Sequence, residues 1–379
     1  MSTSTPESGS GERGMALAIV LFALVVVGLL VAIIFAGATL EARSGRQLQA
    51  ATQALGAADA GADAFVAAWD PFINDDMPVG STAQVAAGVI GNGVLHTDTL
   101  TRLSDVLFLL RAFGERRDAG GGMLARRTVG RLLRLTPPLP DARAALTTIS
   151  GVQLAGADPI SGTDTVPAGW GGVCPPPGPP LSGVRDSSGM VTQALPCGGS
   201  PCVTGAPPVL SDSTVGTLTL TQLGPATFAN LWSSATRSTG GTVSGIGPVV
   251  SGLPAQCDLT SALNWGAPAD STNPCFRFFP LIAAQGGTIL GAGQGQGVLL
   301  VDGDLELAGG FEFFGTIIVR GVLRTSGVGG RVVGAVLAQR AVLSGSGLAV
   351  TFSSCAVRRA RLGAALPEPL TDRNWIQIF

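Results

Sequence analysis

Three carboxylates set two residues apart, Asp302, Asp304 and Glu306, form the most chemically suggestive cluster in this 379-residue chain. Alternate side chains of a strand point to one face. The three would then present a surface for Ca2+ or for acid–base work. The plainer reading, and the preferred one, is the polar outer face of a strand whose inner face is Val301, Leu305 and Leu307, interrupted by Gly303. Asp302-Gly303-Asp304 is only a fragment of an EF-hand loop. No metal is therefore expected, and these three residues are the single Ca2+ candidate. A Ser/His/Asp triad needs a histidine. The chain has one, His96, in GNGVLHTDTL, where it reads as a solvated loop residue. The Gly-rich GAGQGQG of residues 291–297 lacks the lysine of a phosphate loop and reads as a turn between strands. Arg116, Arg117, Arg126 and Arg127 flank a Gly-rich loop. They would suit an anionic patch, but a solvated loop is the preferred account. No catalytic residues and no cofactor are expected, and the chain is not read as an enzyme.

Composition narrows the field. Charged residues are 13% of the chain, half the usual share, and the net charge is −2. Nothing in that balance points to nucleic acid. With 55 Gly and 25 Pro, turns and extended chain should dominate. All six cysteines, Cys174, Cys197, Cys202, Cys257, Cys275 and Cys355, follow the hydrophobic N-terminal segment. No CxxC pair occurs, and one histidine cannot complete a Cys/His zinc site. An even count on an exported segment favours disulfides over free thiols. Near neighbours are the expected pairs: Cys197 with Cys202, and Cys257 with Cys275.

The elements that would position these residues begin with MALAIVLFALVVVGLLVAIIFAG, residues 15–37, which carries no charge. As a helix it is long enough to cross a bilayer core of roughly 30 Å. Cleavage after Ala38, at Ala36-Gly37-Ala38, is the alternative. Leu48, Ala51, Leu55, Ala58, Ala62, Phe65 and Trp69 then recur at spacings of three and four, with Asp59 and Asp63 off the stripe. The spacing predicts that the helix continues, amphipathic, until Pro71 ends it.

Arg13-Gly14-Met15, the apolar run, the Glu41/Arg43 turn and the AADAGAD segment resemble the N-terminus of PilX-type minor pilins. The start is also similar to K-type pseudopilins of type II secretion. The resemblance covers about residues 11–69. It implies cleavage between Gly14 and Met15 by a prepilin peptidase, and assembly beside other pilin subunits from the inner membrane. Major pilins carry Glu at the fifth mature position, where this chain has Ile19. That difference implies a place at a filament tip or in low copy. VDGDLxL rows and a CAV…RNW tail are similar to those of pilus-assembly proteins with PilX-like N-termini.

The body is expected to be mainly β. DVLFLLRAF and TVGRLLRL suggest a hairpin, CPPPGPP must be extended, and residues 225–238 suit one short helix. GVLLVDGDLELAGGFEFFG, GTIIVRGVLRTSGVGGRVVG and GAVLAQRAVLSGSGLAVTF line up, with Gly303 and Gly321 18 apart. Rows of this kind bury their apolar sides against each other. They predict a β-helix-like stack of about three rungs, with a plain meander as the alternative. The expected fold is thus α+β and membrane-anchored: a long N-terminal α-helix, transmembrane then amphipathic, followed by a Gly-rich, mainly β exported domain. The expected divisions are a cytoplasmic leader (1–14), a transmembrane helix (15–37) and its amphipathic continuation (38–70). A β/loop-rich region with a Pro/Gly surface excursion follows (71–225), then a helix and Cys-bounded loop (226–275). Gly-rich β repeats (276–355) and a tail capping the last rung (356–379) complete the chain. The expected function is a structural minor pilin-like subunit. The rivals are a K-type pseudopilin and a membrane-anchored carbohydrate-binding or glycan-processing β-protein. Single-pass inner-membrane insertion, with incorporation into an extracellular filament, is the expected location.

Overall fold

A computed structural model describes residues 12–69, 74, 77–91, 93–104, 106–155, 158–194, 197, 201–327, 329–344, 348–370 and 376–378. The first eleven residues of the leader, the helix-ending Pro71 and the Arg373-Asn374-Trp375 stretch lie outside the described residues.

Helix α1 (Glu12–Ala67) runs unbroken for 56 residues, about 84 Å at 1.5 Å per residue. Gly28, Gly37, Gly45 and Gly56 face open space, so each costs only its propensity, roughly 1 kcal/mol. An antiparallel meander follows: β1 (Thr82–Gly91), β2 (Val94–Arg102), β3 (Leu107–Arg117) and β4 (Met123–Thr136), each paired with the next. The second half of α1 lies on one face of this sheet. Ala58 and Ala62 pack with Leu100, Phe108, Leu110, Ala112, Val129, Leu133 and Leu135. The helix face that docks is rotated from the expected stripe towards its smaller residues. Ala50, Ala54, Ala57, Ala58 and Ala62 are buried, while Leu48 is 70% exposed. Gly114 of β3 explains the rotation. A Cβ there would fall inside the van der Waals shell of the Ala54 carbonyl oxygen. Helix and strand meet backbone to backbone, and only small residues allow it.

From β4 the chain enters a parallel stack. β5 (Ala144–Thr148), β6 (Val152–Leu154) and β7 (Ile160–Ser161) form one coil, and β8 (Ser182–Asp186), β9 (Val191–Gln193) and β10 (Val203–Thr204) the next. β11 (Val209–Ser211) continues onto β8. Helix α2 (Thr217–Thr221), a small pair of β12 (Gln222–Leu223) and β13 (Ala226–Thr227), and helix α3 (Phe228–Ser233) then cross the stack's flank. The chain resumes at the far end with β14 (Arg237–Thr239) and β15 (Thr242–Val243), leaving the stack briefly for the pair β16 (Val250–Ser251) and β17 (Gln256–Cys257). It winds back through β18 (Leu281–Gln285), β19 (Thr288–Leu290), β20 (Gly293–Asp302), β21 (Leu305–Ala308), β22 (Phe311–Ser326), β23 (Arg331–Leu343) and β24 (Ala349–Phe352). Its last coil meets the first: β23 pairs with β5 and β6, and β24 with β7.

One stack face therefore carries eight strands in the order β14-β18-β20-β22-β23-β5-β8-β11. Leu281 pairs with Val298, Val298 with Thr316 and Thr316 with Ala335, so successive coils are 17, 18 and 19 residues long. The stack is longer than the three rungs expected. Residues 144–211 are not a surface excursion: they supply coils of the same stack, and their strands alternate too briefly to announce it. Like residues stack on like. Ile282, Leu299, Ile317, Val336, Leu146 and Val184 form one continuous buried row. Each such side chain contributes about 1.5–3 kcal/mol on burial.

The stack's strands VLLV and TIIV are buried on both faces, which is why they read as apolar runs rather than alternations. Leu299, Val301, Ile317 and Val319 point inward. Val298, Leu300 and Ile318 point outward beneath Trp170, Phe276, Phe279 and helix α4 (Ser354–Gly363). After α4 the chain rejoins the first sheet. β25 (Leu366–Pro369) and β26 (Ile376–Ile378) both pair with β4, on the edge opposite β3. The tail therefore does not cap the last rung as expected. That rung is already covered by β5–β7; α4 lies on the flank of the stack, and residues 366–369 and 376–378 extend the antiparallel sheet. Residues 137–365 form an insertion between two strands of the helix-bearing sheet.

Glycine marks one corner of the stack. Gly297, Gly315 and Gly334 pair in register, all at positive φ (108°, 139° and 143°). A Cβ at Gly315 would strike the Gly297 carbonyl oxygen, and one at Gly334 that of Gly315. Gly315→Ala should therefore cost about 4 kcal/mol or more in denaturant unfolding. Gly287→Ala, also at positive φ (80°) but with open space around it, should cost only about 1–2 kcal/mol. Equal losses would mean that backbone conformation, not coil-to-coil approach, sets the glycine requirement.

Candidate functional site

The first half of α1 lies open to solvent among the described residues. From Leu17 to Gln49 every residue is exposed. Its most apolar 18-residue window has a mean hydropathy of 3.4 and none of it is buried. Large apolar side chains such as Phe22, Leu29, Ile34 and Phe35 thus stand bare. A surface of this size is not stable in water without a partner, and by length and composition the helix is able to cross a membrane. Gly14 and Met15, the expected processing residues, lie in the first turns of α1.

The second half of α1 is held firmly. Arg131 of β4 reaches up between two carboxylates one turn apart on the helix, pairing with Asp59 at 3.2 Å and with Asp63. Burial works against the guanidinium's charge, and the two carboxylates outweigh it, so its pKa is raised. The polar positions beside the apolar stripe are therefore a clamp. Trp69 closes the far end, edge-on to Phe65 at 5.6 Å and to Phe108 at 5.2 Å.

His96 is not on a solvated loop. It sits in β2, inside the helix–sheet interface, because the strand takes up VLHTDTL from Val94 onward and the ring fills space left by two glycines. A side chain on Gly61 of α1 or Gly88 of β1 would strike the imidazole. Nδ1 of His96 lies 2.9 Å from Asp98 Oδ2. Asp98 is wholly buried, and its Oδ1 has no partner. Among the described residues no serine, threonine or cysteine hydroxyl or thiol bonds to this pair. It is a packed, polar seam rather than a nucleophile's base. Burial pushes the Asp98 carboxyl up, against the opposing pull of His96.

Asp302, Asp304 and Glu306 do not share one strand face. Asp302 ends β20, Gly303 turns the corner at φ 133°, and Glu306 lies in β21. Each is engaged by the next coil instead. Arg320 bonds Asp302 at 2.8 Å, the Val322 amide donates to Asp304 at 2.8 Å, Arg324 lies 4.0 Å from Asp304, and Ser326 pairs with Glu306. Glu312 and Arg331 extend the same ladder at 2.9 Å. Among the described residues no three His, Cys, Asp or Glu side chains gather as a cation site. In GAGQGQG, the Gln296 amide is buried and donates to the Phe276 and Phe278 carbonyls, so the segment is a corner and a strand. The Arg-rich loop is the β3–β4 hairpin. Its turn is held by Asp118, which accepts from the Gly120 and Gly122 amides, while Arg117 pairs with Glu115 and Arg126 stacks over Phe113.

Three disulfides use all six cysteines: Cys197–Cys202, Cys257–Cys275 and Cys174–Cys355. The third, across 181 residues, had no signal in the spacing. It ties the Pro-rich loop to the first turn of α4.

No family model, no curated protein and no solved structure matches this chain.

Two groups of residues that matter were invisible in the sequence. The small-residue docking face of α1 is identified only by the position of Gly114. The His96–Asp98 seam has the spacing of same-face residues on a strand, a signal hidden by the glycines around it. The seam carries a pH test. A carboxyl raised by burial favours folding while it is protonated. Its contribution is complete below the unfolded value near 3.8 and is lost as pH rises through the folded value. Asp98→Asn keeps a hydrogen-bonding partner for Nδ1 and removes the charge. Its melting temperature relative to the unaltered protein should be close to zero at pH 3.5 and rise to roughly +2 °C by pH 7.5. A variant several degrees less stable at pH 7.5 would show that the pair acts as a net stabilising ion pair.

Proposed function

We propose that this chain is a membrane-anchored structural subunit of the PilX-type minor pilin kind, serving type IV pilus assembly or a filament tip. The observation that carries this reading is the division of one helix into two halves. Residues 17–49 are bare, and apolar as far as residue 37, and residues 50–69 are built into a four-stranded meander. The bare half inserts in the bilayer and packs beside the helices of other subunits. The clamped half passes that position on to the head.

Two features favour a tip or low-copy place. Ile19 stands where a bulk pilin presents a carboxylate, so no intramembrane ion pair with a neighbour's amine forms there. The head is also large. Eight strands spaced about 4.8 Å apart extend roughly 34 Å, whereas helices packed side by side lie about 8–10 Å apart. A head of that length suits a position with free space around it. The stack faces outward as the binding or priming surface.

Intact mass of the N-terminal peptide from native membranes tests the reading. The expected chain begins at Met15, carries one added methyl group and remains in the membrane after alkaline carbonate extraction. A chain beginning at Met1 or Ser2 would remove the pilin assignment and leave a plain anchor. A chain beginning at Thr39 would remove the anchor as well.

A further inference from the structure

The turns of two hairpins lie at one end of the helix-bearing sheet. The register sets Val94 opposite Arg116 and Met123 opposite Arg117, so the β1–β2 and β3–β4 turns form one rim. Two features mark this rim. Val89, Ile90, Met123 and Leu124 are each more than half exposed. Arg116, Arg117, Arg126 and Arg127 flank the β3–β4 turn, and Arg43 and Arg46 stand on the exposed part of α1. Against these six arginines, residues 38–53 and 113–127 carry only Glu41, Glu115 and Asp118, in a chain whose net charge is −2. Glu115 is shared, at 2.8 Å from Arg117 and 3.8 Å from Arg126. Asp118 is turned into its own hairpin, where it accepts from the Gly120 and Gly122 amides.

The direction of the rim follows from how α1 lies on the sheet. Trp69 meets Phe108 and Ala54 meets Gly114, so β3 runs antiparallel to the helix, towards its bare half. From Trp69 to Ala54 the helix descends about 22 Å at 1.5 Å per residue. From Phe108 to Gly114 the strand descends about 20 Å at 3.3 Å per residue. The two axes are therefore close to parallel. Asp118 lies four residues beyond Gly114, about 13 Å further down, near the level of residue 45 of α1. The charge-free run of the helix ends at Gly37, about 12 Å below that level. Headgroups occupy roughly 5–8 Å on each side of a bilayer's hydrocarbon core. The rim thus stands within about one Debye length, roughly 8 Å, of the headgroup layer.

We propose that this rim is a docking surface for anionic phospholipid headgroups of the bilayer that α1 crosses. The proposal rests on the membrane insertion of α1 in the reading above and not on the pilus assignment. The guanidinium groups donate to headgroup phosphates, and the exposed aliphatic side chains settle among the headgroups. The sheet then stands on the membrane by its hairpin turns as well as by its helix. Each arginine held near an anionic surface strengthens the contact about fivefold.

Headgroup quenching on the full-length protein tests the surface. The six native cysteines are paired, so Ala119→Cys in the β3–β4 turn takes a thiol-reactive fluorophore alone. The labelled protein is reconstituted in phosphatidylcholine vesicles, with or without phosphatidylglycerol, that contain a lipid with a nitroxide headgroup as quencher. Quenching should be at least about threefold stronger with phosphatidylglycerol, and about 1 M salt, which shortens the Debye length to about 3 Å, should abolish the difference. Arg117 and Arg126 are about half exposed. Replacing both, Arg117→Gln with Arg126→Gln, should leave the melting temperature within about 2 °C and lower the contact equilibrium about 25-fold, removing the excess quenching. A protein that fails to float with the vesicles would overturn the anchor and the docking together. A protein that floats but is quenched equally in both lipids would overturn the docking and leave the anchor standing. So would excess quenching that survives the salt or the double substitution.

Discussion

The insertion between β4 and β25 begins and ends on the same strand, and the architecture of the stack follows from that. A chain that leaves β4 at residue 136 and must return to it at residue 366 cannot build a stack from one end to the other, because its exit would lie far from its start. The stack is built instead from its middle outward. Residues 144–211 wind away in one direction, α2 and α3 cross the flank, and residues 237–352 wind back until β23 and β24 close on β5, β6 and β7. First and last coils are neighbours in space though about 190 residues apart in sequence, the separation of the Leu348–Asp158 bond. Cys174–Cys355 secures this closure. In the chain-entropy model a link across 181 residues stabilises by about 5 kcal/mol, more than either short-range disulfide. Asp164 adds to it, accepting from the Ser354 amide at 2.8 Å.

Parallel in-register stacking places each residue beside its counterpart one coil away. For aliphatic residues that is favourable: the row from Ile282 to Val184 is continuous. For charges it is hazardous, since like charges would repeat at about 4.8 Å. The sequence alternates them. One coil carries Asp302, Asp304, Glu306 and Glu312, and the next carries Arg320, Arg324, Ser326 and Arg331. Exposed pairs of this sort contribute little individually, about 0–1 kcal/mol. Their value lies in register, because a coil slipped by one residue would part each arginine from its carboxylate. The cluster that suggested chemistry is thus a device of pairing specificity.

How much of this was legible depended on whether the signal was local. The bare helix was plain, because a charge-free run longer than 20 residues has few other readings. The 18-residue recurrence of Gly303 and Gly321 was legible too, and the two stack directly: the Gly321 amide donates to the Gly303 carbonyl at 2.9 Å. What could not be read was everything set by a distant partner. Short strands such as Ile160–Ser161 and Val203–Thr204 have no periodicity of their own and are strands only because β24 and β7 template them. The tail resembled a cap because its last residues are apolar and follow the last coil. Its true partner, β4, lies more than 230 residues earlier. His96 looked solvated because glycines surround it, yet those glycines are what allow the ring into the interface.

The contact between α1 and the sheet joins the two ends of the proposed function. An interface of long flexible side chains would let the helix tilt or slide on its sheet. This one has little such freedom. Ala54 meets Gly114 at the level of the backbone, Arg131 spans Asp59 and Asp63, and Trp69 seals the end against Phe108. Cores packed this closely transmit displacement rather than absorb it. The sheet that receives the helix is the sheet into which the stack is inserted, and Leu362 of α4 belongs to the same core as Ala58 and Ala62. A helix seated among neighbouring helices would thereby set the direction of its sheet and, through α4 and β25, constrain the path of the chain into the stack. Under this reading the large head is placed by twenty residues of helix whose chief qualification is that they are small.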